Sequence, residues 1–230
     1  MSTLSAPAIE VENKGLITVM IMLATIMQVL DTTIANVALP NMTGDLGASQ
    51  DTITWVLTSY IVAAAIMTPV TGWLADRIGK RELFLVSIVG FVTTSVACGL
   101  AWSLNSMVAF RLMQGVFGAA IVPLAQTFLL DINPPKDHAR AMALWGMGAV
   151  LGPIIGPILG GFLTDQLNWR WVFFINIPIA VVGFLIMAAT LPKRVRRDQQ
   201  KFDAFGFLAL IVGLVGMQMV LDRGPGAEWF

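Results

Sequence analysis

The sequence predicts an all-α, polytopic membrane protein of 230 residues, and three observations carry that prediction. Seven apolar runs of about 17–24 residues recur at short intervals, the length that spans a ~30 Å hydrocarbon core at ~1.5 Å of rise per residue. Ionic residues are nearly confined to the gaps between the runs. The gaps alternate between basic and non-basic. In hydrocarbon every backbone N–H and C=O must be satisfied within its own element, so continuous apolar runs are helices. Strands of a membrane barrel would be shorter and would alternate apolar with polar residues. Composition agrees: 57% of residues are apolar and 12% charged, against roughly 25% charged in soluble domains. The formal net charge is zero, which leaves a nucleic-acid partner no electrostatic footprint.

The first span, residues 16–39, follows Lys14 and resembles a signal peptide at first sight. It is too long for a signal-peptide core and further spans follow, so it is a retained helix. The second span, 52–74, stops before Asp76 and Arg77. The third, 83–102, begins behind Glu82, and the fourth, 107–130, ends before Asp131. The fifth, 142–163, begins behind Arg140, and the sixth, 171–191, lies between Arg170 and Lys193. The seventh, 205–221, is the shortest. The expected organisation is a cytoplasmic tail (1–15), a six-helix bundle (16–191), a basic cytoplasmic linker (192–204), a seventh helix (205–221) and an extracytoplasmic end (222–230). The linker, PKRVRRDQQKFDA, can also touch anionic lipid.

Lysine and arginine set the orientation. Lys14, Arg77, Lys80, Arg81, Lys136, Arg140, Lys193, Arg194, Arg196, Arg197 and Lys201 fall on one side, and only Arg170 and Arg223 on the other. The positive-inside rule places the N-terminus and the even-numbered gaps in the cytoplasm. Trp55, Trp73, Trp102, Trp145, Trp169 and Trp171 fall near span ends, as interfacial indoles do. The one cysteine, Cys98, lies in an apolar run and reads as buried structural filler; the one histidine, His138, reads as solvated, and no metal-ligand spacing is present.

Two charges lie inside spans, where each costs at least ~2.5–3.5 kcal/mol and needs a reason. Asp31 sits about 22 Å above the cytoplasmic start of the first span and about 12 Å from its outer edge. A carboxylate there can bind and release a proton as its surroundings alternate, or it can be a structural hydrogen-bond hub. Arg111 enters the fourth span about 6 Å below the outer edge, where an arginine can snorkel to the interface. Gln114, Gly115 and Gly118 follow on the same helix face, which therefore looks inward. Asp31 and Arg111 lie at similar depth, so they are expected to face one cavity and to be electrostatically coupled, with Gln28 and Gln114 beside them.

The fifth span carries GMGAVLGPIIGPILGG. Gly148, Gly152, Gly156 and Gly160 recur every four residues, an extended small-residue face that lets another helix come close. Pro153 and Pro157 each remove an internal hydrogen bond and favour bending. Such a helix suits a rocking interface or static close packing. In the second gap, GWLADRIGKR, Gly72 and Gly79 bracket Asp76, Arg77, Lys80 and Arg81. Gly79 can supply a left-handed turn residue, and the charges can latch neighbouring helix ends or serve as an ordinary positive-inside loop.

GWLADRIGKR resembles the signature loop between helices two and three of the major facilitator superfamily, and RLMQG its helix-four motif. The GxxxGPxxGPxxGG run resembles the motif of the superfamily's antiporters. LDTTIANVALP and WRWVFFINIPIA are similar to segments of its fourteen-helix drug:proton antiporter branch. The resemblance covers nearly the whole chain. It implies a bundle of two inverted three-helix repeats, followed by the first of two extra central helices. It implies that Asp31 takes part in proton coupling or cation binding and that Arg111 couples to the proton step. It implies that Asp76, with Arg77 and Arg81, forms a cytoplasmic gate, and that Gly148 through Gly161 slide against the other bundle. Family members have about twice this length, so the chain is expected to be the N-terminal half, either as a fragment or truncated product or with a second chain supplying the C-terminal bundle.

The expected function is proton-driven efflux of amphipathic, including cationic, small molecules across a bacterial cell membrane, without a cofactor or catalytic site. No GxxxxGK[ST] phosphate loop is present, so the energy source is an ion gradient. In two-membrane bacteria such permeases pair with a periplasmic adaptor and an outer-membrane channel. A metabolite or sugar transporter keeps the fold with another cargo. A seven-helix photoreceptor or sensor fits poorly, because the last span has no lysine for a retinal Schiff base.

Overall fold

The computed structural model describes residues 13–191 and 203–223. Among them every regular element is helical: α1 (Lys14–Asp45), α2 (Gln50–Ile53), α3 (Trp55–Met67), α4 (Val70–Ile78), α5 (Lys80–Gly99), α6 (Leu104–Gly118), α7 (Ile121–Ile132), α8 (His138–Gln166), α9 (Trp171–Phe174), α10 (Asn176–Thr190) and α11 (Ala204–Arg223), with a single 3-10 turn at Pro135–Asp137. The expected tail up to residue 12, the linker over 192–202 and the end over 224–230 lie outside the described residues.

Five stretches are long and apolar enough to cross a membrane, and the bent pair made by Gln50–Met67 and Val70–Ile78 is a sixth. These are the first six expected spans, with several differences in detail. The first span does not stop before Pro40: α1 runs through it to Asp45. The extra turn buries Met42 completely and packs it with Leu39 and Leu46. Gly47, at φ 64°, then turns the chain. The second span is broken, bending by 59° between α3 and α4. Pro69 has no N–H to continue the ladder and leaves the Ala65 carbonyl without its helical donor, while the Ala64 carbonyl accepts from both the backbone N–H of Thr68 at 2.9 Å and its hydroxyl at 2.7 Å. The fourth span changes from α6 to α7 at Ala119–Ala120, where Pro123 leaves the Ala119 carbonyl without its usual donor. The fifth span, in contrast, continues as one helix through Pro153 and Pro157.

Helix α1 is central and packs on α8, α10 and α7; α3 and α5 pack on α6, and α10 packs on α5. This set of neighbours is unchanged when each span is exchanged with the one three later. Spans one and five correspond to spans four and two, and spans one and six to spans four and three. The seventh expected span falls in α11, whose apolar stretch Ala204–Gln218 is shorter than the other spans. It rests on α3 and leaves Phe205, Leu208 and Val212 exposed.

The tryptophans divide. Trp102 is 73% exposed, as an interfacial residue is. Trp169 is buried and donates to Asp45 Oδ2 at 2.8 Å, and Trp145 donates to Thr25 Oγ1 at 3.2 Å. Those two are inward-facing braces rather than belt residues. His138 is not simply solvated: half-buried, its Nε2 lies 3.0 Å from both the Leu130 and Asn133 carbonyls and caps the end of α7.

Candidate functional site

The site begins with a close helix approach. Gly115 on α6 faces the α3 backbone; a Cβ there would meet the Tyr60 carbonyl and lie 2.9 Å from Ala63 Cβ. One turn earlier the same closeness lets Arg111 Nε donate to the Val56 carbonyl at 3.1 Å. Arg111 is fully buried, and its guanidinium lies 4.4 Å over the Tyr60 ring. Arg111 therefore does not snorkel to the interface. Helix α6 starts at Leu104, which puts Arg111 about 10 Å into the span, too deep and too well partnered to turn outward.

Arg111 Nη1 donates to Asp31 Oδ2 at 2.6 Å, and both side chains have no exposed surface. Asp31 lies near the middle of α1, about 26 Å from its start. Its other oxygen, Oδ1, accepts from Gln114 Nε2 at 2.9 Å and from Asn176 Nδ2 at 2.8 Å. Gln114 Oε1 in turn accepts from Arg111 Nη1 at 2.8 Å and from the Cys98 thiol at 3.5 Å. Asn176 Nδ2 also donates to Ser95 Oγ at 3.0 Å, and Ser95 donates to the Phe173 carbonyl at 2.9 Å. Gln28 is one step removed, donating to the Tyr60 hydroxyl at 3.2 Å. A buried charge pair is tolerable only when most of its lone pairs and protons are satisfied. Gln114 and Asn176 fill the Asp31 carboxylate, and Val56 and Gln114 accept from Arg111 Nε and Nη1, while Arg111 Nη2 is buried without a hydrogen-bond partner.

Asp31, Arg111, Gln114 and Gln28 are thus brought together, with Asp31 and Arg111 in direct contact rather than facing each other across an open space. Sequence reasoning missed Asn176, Tyr60 and Ser95. The available signals were one amide in an otherwise apolar sixth span and the only tyrosine of the chain. An apolar groove lies elsewhere, on the outside of the bundle between α5 and α10, lined by Val89, Val92, Val181 and Leu185. Among the described residues no group of three or more His, Cys, Asp or Glu side chains could hold a metal ion.

The charged loop is dispersed. Gly79, at φ 101°, separates α4 from α5. Lys80 pairs with Asp131 at 2.9 Å, tying the start of α5 to the end of α7. Arg81 donates to the Ala188 carbonyl at 2.5 Å, tying α5 to the end of α10. Arg77 stacks over Trp73 at 5.2 Å, and Gly72 is exposed. The structure does not pair Asp76 with Arg77 or Arg81 among the described residues.

The resemblance sets Gly148 through Gly161 against the other bundle; within this chain, Gly148, Gly152, Gly156 and Gly160 meet α1 of their own bundle. A Cβ at Gly148 would lie 2.7 Å from Met22 Cε, at Gly152 2.5 Å from Val29 Cγ1, at Gly156 2.8 Å from Thr33 Cβ and at Gly160 3.3 Å from Val37 Cβ. At Gly152 and Gly156 only glycine allows that approach, because the branched side chains of Val29 and Thr33 fill the groove there. Pro153, Pro157, Ile154 and Ile158 face outward, and Gly161 has nothing within 4 Å of an added Cβ.

Residues 21–223 match the model of the Major Facilitator Superfamily. The chain belongs to that superfamily. It is 46% identical over 216 residues to the multidrug export protein EmrB of Escherichia coli K12, covering 94% of this chain and 42% of that protein. It is 44% identical over 215 residues to the fatty acid resistance protein FarB of Neisseria gonorrhoeae, covering 93% of this chain and 42% of that one. The chain therefore spans less than half the length of these relatives. Among solved structures, a bacterial homologue of the human lysosomal transporter Spinster superposes with a TM-score of 0.68 at 22% identity, covering 84% of this chain and 47% of that one. The proton:xylose symporter XylE superposes with a TM-score of 0.69 at 15% identity, covering 90% and 53%. These likenesses establish the major facilitator fold, and with the apolar spans they make the chain a multi-pass membrane protein.

Proposed function

We propose that the chain is the N-terminal half of a proton-coupled multidrug efflux transporter that exports amphipathic and cationic small molecules by alternating access. The observation that supports this most is the 2.6 Å contact of Asp31 with Arg111, enclosed where four spans meet. A carboxylate in that place can exchange a proton for a change in its partners, and Arg111 supplies the countercharge while the proton is absent. The relatives named for multidrug export and for fatty acid resistance favour an amphipathic cargo over a sugar. The chain is not an enzyme in this reading, and it needs no cofactor. The bundle lies in a bacterial inner membrane with its N-terminus in the cytoplasm. It works with a C-terminal bundle, and in two-membrane bacteria with a periplasmic adaptor and an outer-membrane channel. α11 is a seventh, extra central span.

Vesicles holding the complete transporter, energised by a proton gradient, test the proposal. Asp31→Asn is expected to abolish gradient-driven dye efflux while the protein remains in the membrane at normal abundance. Efflux that persists at the wild-type rate removes Asp31 from the coupling step.

A further inference from the structure

Asp31 receives hydrogen bonds from Arg111 and Gln114 on α6 and from Asn176, the first residue of α10. These three groups are not equivalent. Arg111 can only donate. Gln114 Oε1 already accepts from Arg111 and Cys98, so that amide cannot turn without losing both. Asn176 is fully buried, and its Oδ1 has no hydrogen-bond partner. It alone can present either a donor or a free acceptor to the carboxyl group.

Its position adds to this. Asn176 stands where the sixth span passes from α9 to α10, and Pro178 leaves the Phe174 carbonyl there without its helical donor. Through Nδ2 the amide joins Asp31 on α1 to Ser95 on α5, and Ser95 holds the Phe173 carbonyl of α9. One side chain therefore links the carboxyl group to two other spans at a discontinuity in one of them.

We infer that Asn176 is a positioning residue that responds to the protonation of Asp31 and passes it to the third and sixth spans. The inference rests on the proton-coupling reading of Asp31. While the carboxylate is ionised, Asn176 Nδ2 donates to it. When Asp31 gains a proton, its new O–H requires an acceptor, and a half-turn of the amide about Cβ–Cγ brings Oδ1 into place. That turn withdraws Nδ2 from Ser95, whose hydroxyl then donates to Oδ1 and releases the Phe173 carbonyl. Only the O–H bond of Asp31 is made; every other change is an exchange of hydrogen bonds. The titratable and charged groups facing this point are Arg111 from α6, Tyr60 from α3 and Cys98 from α5. Helix α10 carries none, and α7 and α8 carry theirs near their ends, at Asp131, His138, Arg140 and Asp165.

Infrared difference spectroscopy of the chain in lipid bilayers, titrated with pH, tests this. The Asp31→Asn chain assigns the carboxylic C=O band of Asp31. In the wild-type chain a side-chain amide band changes together with that carboxylic band. Asn176→Leu removes the amide at similar volume. It is expected to abolish the amide change, alter the C=O frequency and move the titration midpoint about one pH unit upward, a tenfold change in proton affinity from one lost charge-assisted donor. Ser95→Ala keeps the amide and is expected to move the midpoint less. A wild-type chain in which Asp31 titrates, but whose band and midpoint ignore Asn176→Leu, overturns the role of Asn176 and leaves proton coupling standing. No titrating Asp31 band in the wild-type chain overturns the coupling reading itself. If Asn176→Leu does not fold, the wild-type amide band decides: an amide band that stays constant while Asp31 titrates overturns the inference.

Discussion

A single methyl group at Gly156 tests how α1 and α8 meet. A Cβ there would overlap Thr33 Oγ1 and lie 2.8 Å from Thr33 Cβ. Carbon atoms rest about 3.5–4.0 Å apart, so the two backbones must separate by roughly 0.7 Å or more. Turning Thr33 does not relieve the clash, because Cβ is fixed by the backbone. The same residue also loses its 3.4 Å hydrogen bond to the Gly152 carbonyl. A gap of that size forfeits a quarter to a half of each dispersion contact along the interface. Overpacking costs about 1–3 kcal/mol, and we place Gly156→Ala near the upper end, about a hundredfold in the unfolding equilibrium. Two companions calibrate it. Gly161→Ala, inside the same helix, meets nothing within 4 Å and is expected to stabilise by up to ~1 kcal/mol. Gly148→Ala meets only the flexible end of Met22, so it is expected to cost less than ~1 kcal/mol. Moving the groove across the interface, with Thr33→Gly added to Gly156→Ala, is expected to restore at least half the loss, less ~1 kcal/mol for a glycine within a helix. Reversible unfolding in bilayers, followed by steric trapping, measures all four. Equal stability of Gly156→Ala and Gly161→Ala would refute the proposed contact.

Arg111→Leu leaves Asp31 buried without its countercharge and is expected to destabilise the bundle by about 3–5 kcal/mol. Adding Asp31→Asn should recover most of that loss in a double-mutant unfolding cycle. Gly79→Ala forces a side chain into φ 101° against Glu82 Oε2 and is expected to cost about 1–2 kcal/mol, read as a lower unfolding midpoint. The Lys80–Asp131 pair keeps 24% and 22% of its side-chain surface exposed, so its coupling energy is expected to be about 1 kcal/mol or less and to fall in high salt. Arg81→Met, which strips the donor from the Ala188 carbonyl, is expected to increase hydrogen–deuterium exchange at the end of α10.

The legible part of the site was the part that hydrocarbon makes expensive. An aspartate and an arginine within apolar runs each demand a partner, and each is the other's simplest partner, so Asp31 and Arg111 could be joined before any coordinates. Asn176 and Ser95 were not legible for the same reason reversed. A neutral amide or hydroxyl inside a span costs little and finds many partners, so its presence predicts no particular contact. Elements behaved alike. Apolar length located the spans, while Pro40, Pro69, Pro153 and Pro157 did not declare which of them would interrupt a helix. Pro69 coincides with a 59° bend and Pro40 with none of the breaks. Tertiary packing makes that choice, since burying Met42 rewards continuation past Pro40.

The glycine face of α8 yields one further result. The stripe at Gly148, Gly152, Gly156 and Gly160 announced a close neighbour without naming it. The neighbour has a matching signature: Val29, Thr33 and Val37 recur at the same four-residue spacing on α1, the ridge that a four-residue groove accepts. As the numbers rise on α8, the facing numbers rise on α1, from Met22 to Val37. The two helices therefore run parallel. A chain that reverses direction at each crossing can bring spans one and five into parallel contact only if an even number of reversals separates them. Three crossings between them satisfy that condition; four would not. The bent pair of α3 and α4 must then count as one crossing, as the pair of α6 and α7 does. Arg111 against Val56 and Gly115 against Tyr60 repeat the parallel register between spans four and two. Two independent interfaces thus agree on the number of crossings, and they do so without reference to where the basic residues fall.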